Sequence, residues 1–222
     1  MTFSLAARCP RTGAFGIVIS SSSPAVAARC AHVRAGVGAV CTQNITDPRL
    51  GPALLDELAA ASAPAALAAL VARERSAAYR QLTVVDAQGR TGAFSGAKTL
   101  GVHASAEREG AVAAGNLLAS DGVPAAMVDA FAGTDSTFGD RLVAALAAAL
   151  AAGGETGPVR SAGLLIADRV SWPVADLRVD WHDDPIGELA RVWQLWQPQL
   201  DDYVSRAIDP TAAPSYGVPG DP

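Results

Sequence analysis

The chain opens Met1-Thr2-Phe3-Ser4, and a threonine in second place carries a chemistry of its own. If Met1 is removed, Thr2 holds both a hydroxyl and a free α-amine, so the amine can act as base for its own hydroxyl. An α-amine titrates near ~7.7–8.0, close to operating pH, and needs no histidine beside it. The plainer reading of the dipeptide is that a small second residue merely permits methionine removal. Context separates the two: Thr2 runs directly into a β-patterned stretch, Phe3 to Arg8, which would hold a nucleophile rigidly.

Other chemistries find little to work with. Cys9, Cys30 and Cys41 are odd in number and form no C-x-x-C pair, so buried free thiols are expected instead of disulfides or a zinc site. His32, His103 and His182 stand about 70 to 80 residues apart, without the i, i+4 spacing of a helical metal site. Neither a metal nor another cofactor is expected. The strings G-x-S-x-G, G-x-x-x-x-G-K-[ST], G-x-G-x-x-G after a strand and H-E-x-x-H are all missing.

Composition narrows the partners. The chain has 222 residues, a formal net charge of -5, 50% hydrophobic and 18% charged residues, enough to bury a core of its own in one domain or a compact pair. Forty-eight alanines raise the hydropathy, and Lys98 is the one lysine against 16 arginines. Because those basic residues are scattered through an acidic chain, nucleic acid is not an expected partner. The longest apolar run, Leu142 to Ala152, is too short to span a bilayer. The first ten residues also lack a basic stretch followed by an apolar one, so the chain reads as cytoplasmic, with no membrane partner.

The elements that must position Thr2 follow from turn signals and periodicity. Phe3 to Arg8 and Phe15 to Ser20 flank the turn Pro10-Arg11-Thr12-Gly13 and predict a β-hairpin. Ala25 to His32 is read as one or two helical turns, and Gly36 to Gln43 as a third strand. Helices are expected over about 51–61 and 64–74, the second opened by Ser62-Ala-Pro64. Gln81 to Asp86 and Arg90 to Ser95 predict a second hairpin around Gln88-Gly89, followed by a strand over Gly110 to Asn116. Helices near 122–132 and 138–152, strands over Ser161 to Asp168 and Ala175 to Trp181, and a helix opened by Asp184-Pro185 complete the order, with Pro198 kinking or ending that helix. The stripe Leu189, Val192, Trp193 and Trp196 is read as core packing, with burial against a second subunit as the other possibility. Grouped strands and helices without regular βαβ alternation favour an α+β fold. Residues 1–208 form a single domain on this reading, and 209–222, rich in Pro and Gly, a disordered or loosely packed tail.

Six segments in order, MTFSLAAR, TGAFGIVISSSSPAVAA, AHVRAGVGAVCTQNITDPRLGPALLDEL, QLTVVDAQGR, AAGNLLAS and DLRVDWHDDPIGEL, make the chain resemble domain-of-unknown-function family 1028 over about residues 2 to 206. That family is similar to the N-terminal nucleophile (Ntn) hydrolases. The resemblance implies a four-layer αββα sandwich, two mainly antiparallel sheets between helical layers, and by analogy makes Thr2 the nucleophile that cleaves an amide bond.

Further positions come from matching motifs. Thr42-Gln43 matches the family's T-Q and Gly115-Asn116 its G-N. Asn116 and Gln43 would donate to an oxyanion or hold a substrate carbonyl; capping a turn or satisfying buried backbone is the other reading of both. Ser21 would orient the Thr2 amine, where a plain turn serine is the simpler view. At Ser21 to Ser23 the sequence departs from the family's small-then-basic pattern. Lys98 would bind a substrate carboxylate or lower the amine's pKa, against an exposed loop lysine. Asp180 and His182 alternate onto one side of a strand and either support the site or pin the strand end, while Asp184 reads as a helix cap. The leading expectation is a metal-independent amidohydrolase acting on a small polar amide or peptide-like metabolite. The alternative is a non-catalytic ligand-binding or assembly protein that keeps the fold, and a homo-oligomer is open in either case.

Overall fold

The computed structural model describes residues 1–219 as an α+β arrangement of two antiparallel sheets with helices on their outer faces. Strands β1 (Thr2–Arg8) and β2 (Phe15–Ser21) form the expected hairpin. Its turn needs the left-handed backbone of Gly13 (φ +78°), and Cys9 N–H donates to the Ala14 carbonyl at 2.7 Å. The chain continues through α1 (Ala27–Cys30), β3 (Ala31–Arg34), β4 (Gly38–Asn44), α2 (Leu50–Glu57), α3 (Ala63–Arg73), β5 (Arg80–Asp86), β6 (Thr91–Ser95), β7 (Ala104–Arg108) and β8 (Ala111–Asn116). It ends with α4 (Val123–Gly133), α5 (Phe138–Ala151), β9 (Ser161–Ala167), β10 (Ala175–Val179), α6 (Pro185–Trp196) and α7 (Leu200–Ile208).

One sheet runs β10-β9-β2-β1-β8-β7, the other β3-β4-β5-β6. Period-two alternation sends successive side chains of each strand into different layers. Phe3, Leu5 and Ala7 of β1 join Met127, Leu142, Leu146, Leu189 and Trp193 in a core beneath α4, α5 and α6. Ala6 faces the other way, with Phe15, Ile17 and Ile19 of β2, Ala39 and Cys41 of β4 and Val112 of β8, filling the space between the sheets. Val40, Leu82 and Val84 pack outward on Leu54, Leu67 and Leu70 of α2 and α3. The order of layers is helix, sheet, sheet, helix. The central strands β1, β2, β8 and β9 are buried on both faces, so each of their large apolar side chains contributes about 1.5–3 kcal/mol through burial, Phe3 and Leu5 among those fully enclosed.

Two local expectations change, and a third, at Pro198, is met. Only Ala27–Cys30 is helical in the stretch Ala25 to His32; His32 lies in β3, paired with Val40 of β4. Four residues are too few to hold a helix on their own, and cross-strand pairing takes over. Strand β7 was not anticipated, because Ala-Ser-Ala-Glu-Arg has little β preference; pairing with β8, from Ala104↔Gly115 to Arg108↔Ala111, creates it. At the C-terminal end, Pro198 divides the last helix into α6, a 3-10 turn over Gln197–Gln199, and α7. Trp193 is buried under the sheet, its Nε1 donating to Asp140 Oδ1 at 2.8 Å, while Trp196 is partly buried against the same core.

All three cysteines are free and buried. No helix among the described residues is long and apolar enough to cross a membrane. The tail beyond α7 is largely exposed, with the Arg206 guanidinium 3.9 Å from the centre of the Tyr216 ring; the last part of the expected tail, 220–222, lies outside the described residues.

Candidate functional site

The layer between the sheets is apolar along most of its length and polar at one end. Continuing the alternation that directs Ala6, Ile19, Cys41, Val85 and Val112 inward brings Thr2 and Ser4 of β1, Ser21 of β2, Gln43 of β4, Gln81 of β5 and Asn116 of β8 into this layer. The register aligns them: Thr2 lies opposite Asn116, and Gln43 opposite Gln81. All six are buried, Thr2 the most accessible at 7%.

Buried amides must be bonded, and here they join the sheets to each other. Ser4 Oγ donates to Gln43 Oε1 at 2.8 Å. Gln43 Nε2 spends its two hydrogens on Gln81 Oε1 at 2.8 Å and the Ala114 carbonyl at 3.1 Å. Gln81 Nε2 likewise donates to Ser95 Oγ and the Gly115 carbonyl, both at 3.0 Å. Asn116 Nδ2 donates to Gln81 Oε1 at 3.0 Å, which leaves its second N–H uncommitted to any bond in the network. The Asn116 Oδ1 atom is buried without a partner. Of the two amides expected to stabilise an oxyanion, Asn116 therefore has a donor to spare, whereas both Gln43 hydrogens serve the junction between the sheets.

Thr2 Oγ1 sits 2.5 Å from the Met1 carbonyl oxygen and 3.4 Å from Ser21 Oγ. Ser21 Oγ itself donates to the Met1 carbonyl through a short bond, and accepts from Ser23 N–H at 3.0 Å. With Met1 in place, two hydroxyls thus converge on one carbonyl oxygen. Removal of Met1 takes away that acceptor and leaves the Thr2 and Ser21 hydroxyls beside a new α-amine. Thr2, Ser21, Asn116 and Gln43 are therefore together. Lys98 is not part of the cluster: its Nζ donates to the Tyr79 hydroxyl at 2.9 Å on the surface. Asp184 caps α6, accepting from Gly187 N–H at 3.0 Å, and His182 Nδ1 accepts from Asp184 N–H. Asp180 and His182 are exposed.

Backbone strain lies at one of the same strand ends. Asn116 is followed by Leu117 at φ +52°, in the left-handed region that bulky residues avoid, whereas Asn44 after Gln43, at φ +71°, is of a type that adopts it readily. Leu117 is held there by its N–H bonding the Leu100 carbonyl at 3.0 Å and its carbonyl accepting from Thr156 N–H, also at 3.0 Å. Such conformations cost about 1–3 kcal/mol and concentrate at functional positions.

Two members escaped sequence reasoning. Gln81, the hub of the network, sits in a strand whose other residues read as ordinary β; its signal was a glutamine in the inward phase directly across from Gln43. Glu155 lies in the loop between α5 and β9 and bridges to Leu118, just beyond β8. It is 4% exposed, and neither carboxylate oxygen has a hydrogen-bond partner; Ser22 faces it without closing a bond. Burial pushes its carboxyl up to about 7, against smaller downward pulls from the chain's N-terminal ammonium and from Ser22. Cys41, buried in the layer between the sheets, is pushed up to about 12 by desolvation and so is a poor nucleophile.

The Glu155 shift has a measurable sign. Its proton is held more tightly folded than unfolded, so its contribution to stability declines as pH rises from about 4.5 to 7 and is constant above that. Glu155→Gln removes the decline. Urea unfolding should show the variant matching the parent near the low end of this window and exceeding it above pH 7 by as much as ~3 kcal/mol; equal pH slopes would refute the assignment.

Among the described residues no three or more His, Cys, Asp or Glu side chains gather closely enough to hold a metal ion. A cavity of about 620 Å³ lies between α3 and β6, lined by Leu67, Val71, Phe94 and neighbours. It shares no residue with the Thr2 cluster and carries little polar chemistry.

No protein of curated function matches the chain. Among solved structures, a protein from Silicibacter pomeroyi assigned to DUF1028 is 31% identical, with a TM-score of 0.83 and 93% of each chain covered. The sequence model of DUF1028, a family of unknown function, matches residues 2–189. The chain belongs to this family.

Proposed function

We propose that the protein is a metal-independent amidohydrolase of the N-terminal nucleophile type, acting on a small polar amide or peptide-like metabolite, and that its layered fold is of the Ntn-hydrolase kind. The observation that carries this reading is the convergence of Thr2 Oγ1, Ser21 Oγ and Asn116 at the polar end of the space between the sheets, with Thr2 the first residue of a central strand. On this reading the Thr2 amine, free once Met1 is gone, takes the hydroxyl proton as Oγ1 adds to the substrate carbonyl. The uncommitted N–H of Asn116 stabilises the oxyanion. The protonated amine then gives its proton to the leaving nitrogen, the C–N bond breaks, and an ester on Thr2 remains. Water, deprotonated by the same amine, hydrolyses the ester and restores the hydroxyl.

Labelling with a hydroxyl-reactive β-lactone, followed by peptide mapping, tests the assignment. An adduct on Thr2 supports it, and an adduct elsewhere or none at all counts against it. The second reading, a non-catalytic binding or assembly protein, is favoured by one observation: while Met1 is present, the Thr2 and Ser21 hydroxyls are both bonded to its carbonyl, a closed and inert arrangement.

A further inference from the structure

Glu155 is a buried carboxylate with no bonding partner on either oxygen, and the local structure holds it in place firmly. Ala119 N–H donates to the Gly154 carbonyl and Thr156 N–H to the Leu117 carbonyl, each at 3.0 Å. The loop 153–157 is thereby fastened along the end of β8, next to Asn116. An unpaired carboxyl kept this far from water costs stability, and no fold element uses it: it caps no helix and joins no ion pair among the described residues.

What lies against the loop is Met1. Thr156 Oγ1 approaches Met1 Sδ at 3.6 Å, and a Cβ placed on Gly157 would come within 3.2 Å of Met1 Cε. The Met1 carbonyl accepts from Ser21 and Thr2, and Glu155 directly precedes Thr156 in the loop that Met1 packs against. Met1 is therefore held as an acyl group, its side chain against Thr156 and Gly157 and its carbonyl under two hydroxyls, beside the loop that carries the buried, unpartnered Glu155 carboxylate.

Resting on the nucleophile reading above, we infer that the space Met1 leaves is the acyl subsite, and that Glu155 pairs there with the cationic amine of an α-amino-acyl substrate, such as an amino-acid amide or a short peptide with a free N-terminus. A cation in that place satisfies the carboxylate that the fold leaves bare, and fixes the carbonyl between Thr2 and Asn116. A neutral or acylated nitrogen would leave it unpaired in a desolvated site, which is the source of discrimination.

The test uses the full-length Thr2→Ala protein, which cannot turn substrate over, after intact mass has shown the state of Met1. Calorimetric titration with methioninamide and with N-acetylmethioninamide reads the preference. Tighter binding of methioninamide by about tenfold or more, reduced to near equality when Glu155→Gln is added, supports the inference. Equal binding of the two probes, no binding of either to protein lacking Met1, or a preference that survives Glu155→Gln overturns it while leaving the Thr2 assignment standing. Retention of Met1 overturns both. If the Glu155→Gln protein does not fold, the comparison of the two probes on the parent still decides.

Discussion

Thr2→Ala is expected to lower amide turnover by about 10³-fold or more, and to abolish labelling by a β-lactone, without a matching loss of stability. The size follows from the role: removing a nucleophile leaves only substrate binding and oxyanion stabilisation. Stability should hold because the Thr2 side chain packs in no apolar core and its hydroxyl bonds only Met1 and Ser21. Alanine is still small, so Met1 removal proceeds and the α-amine remains. Turnover within a factor of a few of the parent would show that the hydroxyl takes no part in the chemistry, and would favour the binding reading.

The second large effect is on folding. Gln81→Leu is nearly volume-conserving, yet it strips the partner from one Gln43 hydrogen, the bonded hydrogen of Asn116, Ser95 Oγ and the Gly115 carbonyl. At about 1–3 kcal/mol for each buried group left unsatisfied, a loss of at least ~3 kcal/mol is expected. For a chain of this length that is a fall in Tm of about 6–12 °C. The same change frees Asn116 to rotate, so any residual activity should fall as well. Thermal unfolding that leaves Tm within about 2 °C of the parent would mean that the amide network does not hold the sheets together. Thr2→Ala and Gln81→Leu thus separate the two functions of the polar layer, one variant losing chemistry and the other losing structure.

Much of the frame was legible in local pattern. The hairpin Phe3 to Ser20, the Ser62-Ala-Pro64 helix start and the Asp184-Pro185 cap each rest on residues within a few positions of one another, and turn and cap chemistry is local. The meeting of Thr2 with Asn116 is of another kind. It depends on β1 pairing with β8 across more than a hundred residues, which periodicity does not encode; the match of Gly115-Asn116 to a family motif pointed to the residue, though not to its neighbour. Glu155 was invisible for a related reason. Gly-Gly-Glu-Thr-Gly reads as a solvated loop, and only the long-range pairing of the loop with Leu117, Leu118 and Ala119 lays it along the end of β8. Leu117 shows the limit at the backbone level, since nothing in a leucine announces a positive φ.

Lys98 shows the converse case, its exposed-loop reading matching where the side chain lies. A residue type that occurs once in the chain drew attention by its rarity, but its position was set by the turn after β6, where Lys98 N–H donates to the Ala78 carbonyl at 2.7 Å and the side chain rests on Tyr79. Scarcity of His and Cys carried more weight, because it bears on what a site could be made of, and it leaves a hydroxyl that supplies its own base as the economical alternative.

The central claim is that Thr2 becomes the terminal residue and acts through its own amine, and the intact mass of the purified full-length protein tests this most directly. A mass lighter by one methionine residue, with Thr2 recovered as the first residue on peptide mapping, is the expected result. A mass that retains Met1 would contradict it, because the nitrogen of Thr2 would then be an amide and could not serve as the base.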